Sequence, residues 1–389
     1  MTDSKRIKSL GELKAALQLA VGLELSTIPV YLTGLYSIKD GTNTEAVQTI
    51  RSVVMEEMLH MTLAANVLNA LRTVPSPAPV TFRGQEISPI PVYPLDSPLI
   101  AGIGTLELGP LTPQAVAGYV DIEHPLHGAT KLSEIPLGSC VYATIGEFYE
   151  AILAALADPA ICPDSEFDHR NQVPAGEYYG GAGFVIEVKD RETARQAIQK
   201  IIDEGEGLDP AKLGDKAKTV TDDDKLRNGW QMYSHYVRFR EIQSGRRFRS
   251  TQLANQEPEG ALLLVDYDSV HPALHIAING DTVGGPEGAA LSEFDLAYTR
   301  LVDDLYLAFS GKPKQVPDKL ADSGVGPRPA LPIAVHGMYG LKNMAVALMR
   351  TPSPVHRGQT LCPRFFYART QDARDKLREG IDQMREQSR

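Results

Sequence analysis

Apolar residues recur at helical spacing in two consecutive segments near the N-terminus. In residues 10–38, the series of leucine, isoleucine, alanine and tyrosine has one gap, which Glu24 fills. Residues 44–71 repeat the pattern with Glu57 on the inner face, and the short polar turn 40–43 joins the two segments. A period of about 3.6 residues predicts two helices, and the short connection makes them antiparallel neighbours.

The chain beyond residue 72 alternates proline-rich stretches with further helical patterns. Residues 73–138 carry too many Ile, Leu, Val and Tyr residues to remain solvated, so they predict a long ordered crossover that could wall a pocket. Short strands are predicted at 184–188 and 261–265. Further helices are predicted at 140–157, 190–202, 225–244, 292–309, 333–349 and 372–389. The fold class is therefore mainly α, with a bundle and its crossover in residues 1–250 and a C-terminal helical extension in 251–389 that packs on the bundle.

Candidate chemistry first appears on the two N-terminal helices. Glu57 and His60 are three residues apart, so both side chains leave the same face of the second helix at a spacing typical of metal ligands. Glu56 is also one turn from His60, so spacing alone does not choose between the two carboxylates. Glu24 lies on the buried stripe of the first helix, where an unpaired carboxylate is costly. Pro29 follows within that helix and predicts a kink beside Glu24.

A carboxylate that faces Glu-x-x-His is half of the dinuclear metal site that some helical bundles build in their cores. On the third helix, 140–157, small residues form a face that bears Glu147, and Glu150 is an alternative nearer the flank of that face. His235 lies among aromatic residues in the helix 225–244. An isolated histidine of this kind is more often a core residue, but the ligands predicted upstream favour a metal-binding role for it.

Charge and cysteine content narrow the function classes. The net charge of −10 and the pI of about 5.5 argue against a nucleic-acid partner, because only the short cluster 246–249 is basic. The three cysteines are far apart, which predicts neither a disulfide framework nor a zinc knuckle and fits a reducing cytoplasm. The polar N-terminus and the absence of a long uninterrupted apolar run predict neither export nor a membrane anchor.

Several runs of residues together resemble a known family. The runs are Leu23–Tyr31, Glu56–Asn66, Ile145–Tyr149, Glu204–Gly207 and Ser234–Ile242. They are similar to the ferritin-like domain of the iminophenyl-pyruvate dimer synthase family, whose best-known members act in violacein- and rebeccamycin-type pigment pathways. The resemblance covers roughly residues 10–242. It implies a ferritin-like four-helix bundle with a long irregular crossover and extra C-terminal helices, and members of known function oxidatively couple two amino-acid-derived imines.

The resemblance also implies a set of metal ligands. Carried over residue by residue, that set is Glu24, Glu57, His60, Glu147, Glu206 and His235. One departure from the wider ferritin-like pattern is that Met232 stands three residues before His235, so a second Glu-x-x-His is missing. The last carboxylate must then come from Glu206, or from Glu204. If the second metal position is empty, Glu24, Glu57 and His60 could hold a mononuclear iron.

The expected ligands define the expected function. Four carboxylates and two neutral imidazoles balance the charge of two divalent ions, and an oxygen-rich set suits iron or manganese, although zinc accepts the same ligand types. We therefore expect a non-haem di-iron oxidase that acts on a small, amino-acid-derived substrate. The alternatives are a metal-binding or storage-like protein without an organic substrate, and a bundle whose buried carboxylates are only structural. A small-molecule partner is expected, with no nucleic acid and no membrane, and association into a homo-oligomer is left open.

Overall fold

The structure is a computed structural model that describes residues 5–124, 141–175, 183–205, 233–249, 252, 254–278, 280, 283–311 and 330–386. The helices are α1 (Leu10–Ser37), α2 (Thr44–Ala70), α3 (Pro113–Ile122), α4 (Ile145–Ala157), α5 (Arg191–Glu204), α6 (His235–Ser244), α7 (Gly285–Phe309), α8 (Ala330–Arg350) and α9 (Gln371–Glu386). The strands are β1 (Val80–Phe82), β2 (Gln85–Ile87), β3 (Leu95–Asp96), β4 (Thr105–Leu106), β5 (Ala273–Leu274) and β6 (Thr360–Leu361). The predicted mainly α class is confirmed.

The two long helices α1 and α2 pack along each other and form the centre of the fold. Ser9 begins α1, because its hydroxyl accepts a hydrogen bond from the backbone N–H of Glu12 at 3.2 Å. The helix continues on both sides of Pro29. α5 and α6 pack against α2, α4 packs against α1 and α5, and α3 packs against α6. The functional side chains described below point into the space between these helices.

The strands form three separate two-stranded pairs in the connections. β1 pairs antiparallel with β2 and β3 with β4, both within the proline-rich crossover, and β5 pairs parallel with β6. The crossover also contains α3. Thr112 caps the N-terminus of this helix, because its side chain accepts a hydrogen bond from the backbone N–H of Ala115. The described part of the segment, residues 73–124, is ordered and packs on α1, as its apolar content predicted.

One apolar core runs from α1 to the C-terminal helices. Its buried members include Leu17 on α1, Phe294 on α7, Leu348 on α8 and Phe365 before α9. The predicted division at residue 250, with a C-terminal extension that packs on the bundle, stays a prediction. Among the described helices, α1 is long and apolar enough to cross a membrane, but 89% of its most apolar window is buried inside the protein. Its apolar surface is therefore covered by the protein's own core.

The predicted strands 184–188 and 261–265 are corrected. Residues 184–188 are extended but pair with no described strand. The Gln172 side-chain amide instead donates to the carbonyl of Val188 and accepts from its backbone N–H, at 2.7 Å each. In residues 261–265 only Leu262 forms a bridge, to Arg246. A side-chain amide can thus replace a neighbouring strand, which a pattern of apolar residues does not reveal.

Candidate metal centre

Three carboxylates and two imidazoles meet between α1, α2, α3 and α6. They are Glu24 of α1, Glu57 and His60 of α2, Glu123 directly after α3, and His235, the first residue of α6. Each is at most 2% exposed. Ionisable side chains are rarely buried to this extent unless they are paired or coordinate a metal.

The potential ligand atoms of these residues lie close together. His235 Nδ1 is 2.8 Å from Glu57 Oε1 and 3.5 Å from Glu123 Oε2, while His60 Nδ1 is 3.7 Å from Glu24 Oε2. The two imidazole rings stack, with centroids 5.2 Å apart. Ligand atoms of Glu57, His60 and His235 all lie within 4.8 Å of one another. This spacing brings oxygen and nitrogen donors around a common space.

Four of the converging atoms make no well-aligned hydrogen bond within the described part of the chain, although two of them, His235 Nδ1 and Glu57 Oε1, form an ion pair at 2.8 Å. They are Glu24 Oε2, Glu57 Oε1, Glu123 Oε2 and His235 Nδ1. Leaving buried polar atoms unsatisfied costs about 1–3 kcal/mol each, and more for charged groups. Bound cations would give such atoms a partner, and the ligand atoms of Glu57, His60 and His235 lie close enough together for one ion, so the residues fit a metal ion.

The other oxygen of each carboxylate is held by a hydroxyl group. The Tyr149 hydroxyl donates to Glu24 Oε1, the Thr27 hydroxyl donates to Glu57 Oε2 at 2.9 Å, and the Tyr31 hydroxyl donates to Glu123 Oε1. Each carboxylate is therefore fixed through one oxygen and presents the second oxygen to the cluster. Such outer hydrogen bonds orient ligands in metal proteins.

The histidines are held in the same way through their outer nitrogens. His235 Nε2 lies 3.0 Å from Glu56 Oε2, and Arg238 forms an ion pair with that carboxylate. His60 Nε2 lies 3.2 Å from Glu204 Oε2, and Glu204 in turn pairs with Lys200. A proton donated outward from Nε2 leaves the Nδ1 lone pair directed into the cluster, as metal ligation requires.

Electrostatics within the cluster shift several pKa values. Burial, and then the nearby Glu24, raise the pKa of Glu57. Burial alone would lower the pKa of His235, but the carboxylates of Glu123 and Glu57 outweigh it and raise this pKa well above its ordinary value. Burial opposes the charged form of Glu56 as well, yet Arg238 and His235 bring its pKa down to about 2. Glu56 is thus a fixed anion outside the cluster, whereas the inner groups share protons that a divalent cation would displace.

The structure brings four of the six predicted ligands together: Glu24, Glu57, His60 and His235. Glu147 is corrected, because its carboxylate accepts hydrogen bonds from Lys5 Nζ at 2.7 Å and from the backbone N–H of Ala143 at 2.8 Å. It sits in the first turn of α4, where a carboxylate is stabilised by the helix N-terminus. From α4, Tyr149 reaches the cluster instead.

Glu206 lies outside the described residues. Its predicted alternative, Glu204, contacts the outer nitrogen of His60 rather than the inner face of the cluster. Glu123 was missed by the sequence reasoning, although a signal existed. Val116, Tyr119, Val120 and Glu123 follow one another at helical spacing, and the first three are buried, so the stripe of α3 ends in the carboxylate.

Comparisons with known proteins agree with the fold. A family model described as Ferritin-like matches residues 17–244. The crystal structure of a ferritin-like protein from Caulobacter vibrioides is 21% identical in sequence, with a TM-score of 0.50. The alignment covers 88% of this chain and 96% of that chain, and at this identity it speaks for the fold alone. No curated protein matches the chain significantly.

Proposed function

Because the chain belongs to the ferritin-like family, we propose that the buried cluster binds iron and that the protein is a non-haem iron oxidase for a small, amino-acid-derived substrate. The proposal rests on the convergence of buried ligand atoms from Glu57, His60 and His235, beside Glu24 Oε2 and Glu123 Oε2, which make no hydrogen bond within the described part of the chain. Their chemistry, three carboxylate oxygens and imidazole nitrogen, suits iron or manganese. The proposed ligands are Glu24, Glu57, His60, Glu123 and His235.

Glu57 would help to hold the metal, because it lies between the two histidines. Its Oε1 approaches His235, and a ligand atom of the same residue lies within 4.8 Å of His60. Glu24 would contribute a carboxylate beside His60, and Glu123 one beside His235. Glu206 remains a proposed further ligand. Bound iron would supply the redox chemistry that an oxidase needs.

The protein's own residues prepare this site before any ligand arrives. Thr27, Tyr31 and Tyr149 fix the three inner carboxylates through single hydroxyl donors. Donors that are already oriented need no reorganisation when charge changes at the site, which favours redox chemistry there. The near-complete burial of the cluster also keeps water away from it.

A cavity between α1 and the crossover supports an enzyme rather than a storage protein. It has a volume of about 530 Å³ and is lined mainly by the crossover, including β4 and α3. Tyr119 lines it and packs against the ring of Tyr31, the hydroxyl donor to Glu123, with ring centroids 5.0 Å apart. This volume lies within the range of small-molecule sites, about 300–1,000 Å³. The resemblance to iminophenyl-pyruvate dimer synthases favours an aromatic imino acid as substrate, with oxidative coupling as the reaction.

Oxygen consumption by protein loaded anaerobically with Fe(II) tests the proposal. We expect a small fixed uptake of oxygen without substrate and repeated turnover when aromatic α-amino or α-imino acids are supplied. Glu57→Gln should abolish both, whereas Glu147→Gln should retain both. Continued uptake of iron far beyond two ions per chain, with no organic product, would instead support storage. Equal activity in Glu57→Gln and the unmodified protein would refute the assignment of the site.

A further inference from the structure

A second large cavity lies on another face of α1 and α2, between these helices and α8. Its volume is about 560 Å³. Its apolar walls include Leu35 of α1, Val54 and Met58 of α2, and Val335 and Met338 of α8. Met58 lines this cavity while its neighbour Glu57 belongs to the cluster, so the two sites use different faces of α2.

One end of the cavity is cationic. Lys39, Arg51 and Lys342 line it, whereas Asp40, the acidic residue of the lining, is engaged by Arg350. The Lys39 ammonium donates to the backbone carbonyl of Asp268 at 2.9 Å. Arg51 and Lys342 pair with no carboxylate of the described residues. This excess of positive charge contrasts with the net charge of −10 of the whole chain.

The N-terminus of α2 adds to the positive potential at the same end. Thr44, the first residue of α2, lines the cavity. Asn43 precedes it but does not cap the helix, because its side-chain amide exchanges hydrogen bonds with the backbone of Asp266 at 2.9 and 2.8 Å. The helix dipole favours an anion there, and the acidic residue of the first turn, Glu45, is itself paired with Arg247.

The opposite end of the cavity is apolar. Arg350 at the C-terminus of α8 pairs with Asp40 just before α2, so α8 runs antiparallel to α2. This direction places Lys342 near the level of Arg51 and Met338 near the level of Met58. Met58 and Met338 also line a smaller adjoining cavity of about 50 Å³, whose other walls are almost entirely apolar. Polarity therefore changes along the cavity from cationic to apolar.

Tyr36 adds a hydrogen-bond donor to the cavity wall. Burial raises the pKa of its hydroxyl to about 12 even though Arg51 lowers it, so the hydroxyl keeps its proton at neutral pH. The neutral Tyr36 hydroxyl beside the Arg51 guanidinium can donate a hydrogen bond to a carboxylate, and it carries no negative charge that would repel one. Methionine side chains at the other end are flexible and adapt to irregular apolar ligands.

We propose that this cavity binds a small monocarboxylate with an apolar body. The carboxylate would lie near Arg51, Lys342 and the N-terminus of α2, and the apolar body would lie between Met58 and Met338. The inference goes beyond the proposed oxidase function and does not depend on metal binding, since none of the cluster's ligands lines the cavity.

Isothermal titration of the full-length protein with octanoate, and with 1-octanol as a neutral probe of equal chain length, tests the proposal. We expect saturable binding of octanoate and weaker binding of octanol. The double variant Arg51→Gln/Lys342→Gln should weaken octanoate binding about tenfold, by analogy with the loss of exposed ion pairs, and leave octanol binding unchanged. Arg300→Gln, on an exposed position of α7 that does not line the cavity, is the matched control.

Val335→Phe, which fills the apolar end at a half-buried position, should weaken the binding of both probes. Thermal melts of each variant show whether the fold is retained. No saturable octanoate binding by the unmodified protein would overturn the proposal. So would equal affinity for both probes, or octanoate binding that the double variant leaves unchanged.

Discussion

Replacing Glu123 by glutamine tests the cluster found in the structure, because Glu123 belongs to that cluster and not to the ligands predicted from the sequence. Glutamine keeps the size of the side chain and an oxygen that can accept the hydrogen bond from Tyr31. It removes the negative charge that faces His235 across 3.5 Å. We expect the metal-free variant to be no less stable than the unmodified protein, because one of three crowded carboxylates is gone.

The metal-bound state should respond in the opposite direction. At a free metal concentration of about 100 times the dissociation constant, binding stabilises the native state by about 2.7 kcal/mol. Loss of one ligand that weakens affinity about 100-fold would reduce this stabilisation to about 0.4 kcal/mol at the same concentration. Urea unfolding with and without Mn(II), followed by circular dichroism under anaerobic conditions, measures the difference directly.

Glu147→Gln is the control for this experiment. Its loss of the partly exposed ion pair with Lys5 should cost at most about 1 kcal/mol and leave the stabilisation by metal unchanged. Full metal-dependent stabilisation in Glu123→Gln, or its loss in Glu147→Gln, would refute the assignment of Glu123 as a ligand.

Three further predictions concern other parts of the molecule. Asp295→Ala should lower the free energy of unfolding in urea by about 3–5 kcal/mol, because it removes the buried carboxylate that pairs with Arg364. The stabilisation by metal should persist. Burial and Arg364 lower the pKa of His275 to about 4, so the unfolded chain binds this proton before the native protein does as pH falls below about 6.5. Between pH 6.5 and 4.5 the free energy of unfolding should therefore fall by up to about 2 kcal/mol more in the unmodified protein than in His275→Gln. Equal losses would contradict the assigned pKa shift. Gly34→Ala should lower stability by about 1–3 kcal/mol, because the new Cβ would stand 2.2 Å from the Tyr119 hydroxyl oxygen, and the second change Tyr119→Phe should restore part of the loss in thermal melts.

The apolar periodicity of the sequence was sufficient to predict the site residues that lie on the two long helices. Glu24, Glu57 and His60 sit on apolar stripes of α1 and α2, and those stripes can only face the core. Sequence spacing could not choose between Glu56 and Glu57 as a ligand. That choice depends on Arg238, more than 180 residues away, which binds Glu56 and turns it into the outer partner of His235.

The positions of Glu147 and Glu123 depend on tertiary contacts, and the local signal for Glu123 is limited to the apolar stripe of α3 that ends in it. α4 begins at Ile145 rather than near residue 140, so Glu147 falls in the first turn and pairs with Lys5 from the other end of the chain. Glu123 enters from the crossover, because α3 packs on α6 and ends beside His235. A short helix within a proline-rich connection gives little reason, from sequence alone, to expect a ligand at its end.

The most direct test of the metal assignment is an anaerobic Fe(II) titration of metal-free protein, with bound iron counted after removal of free metal. The account predicts one or two ions per chain for the unmodified protein and for Glu147→Gln, and none for Glu57→Gln at equal helical content by circular dichroism. Iron binding that survives in Glu57→Gln, or no binding by the unmodified protein, would contradict it.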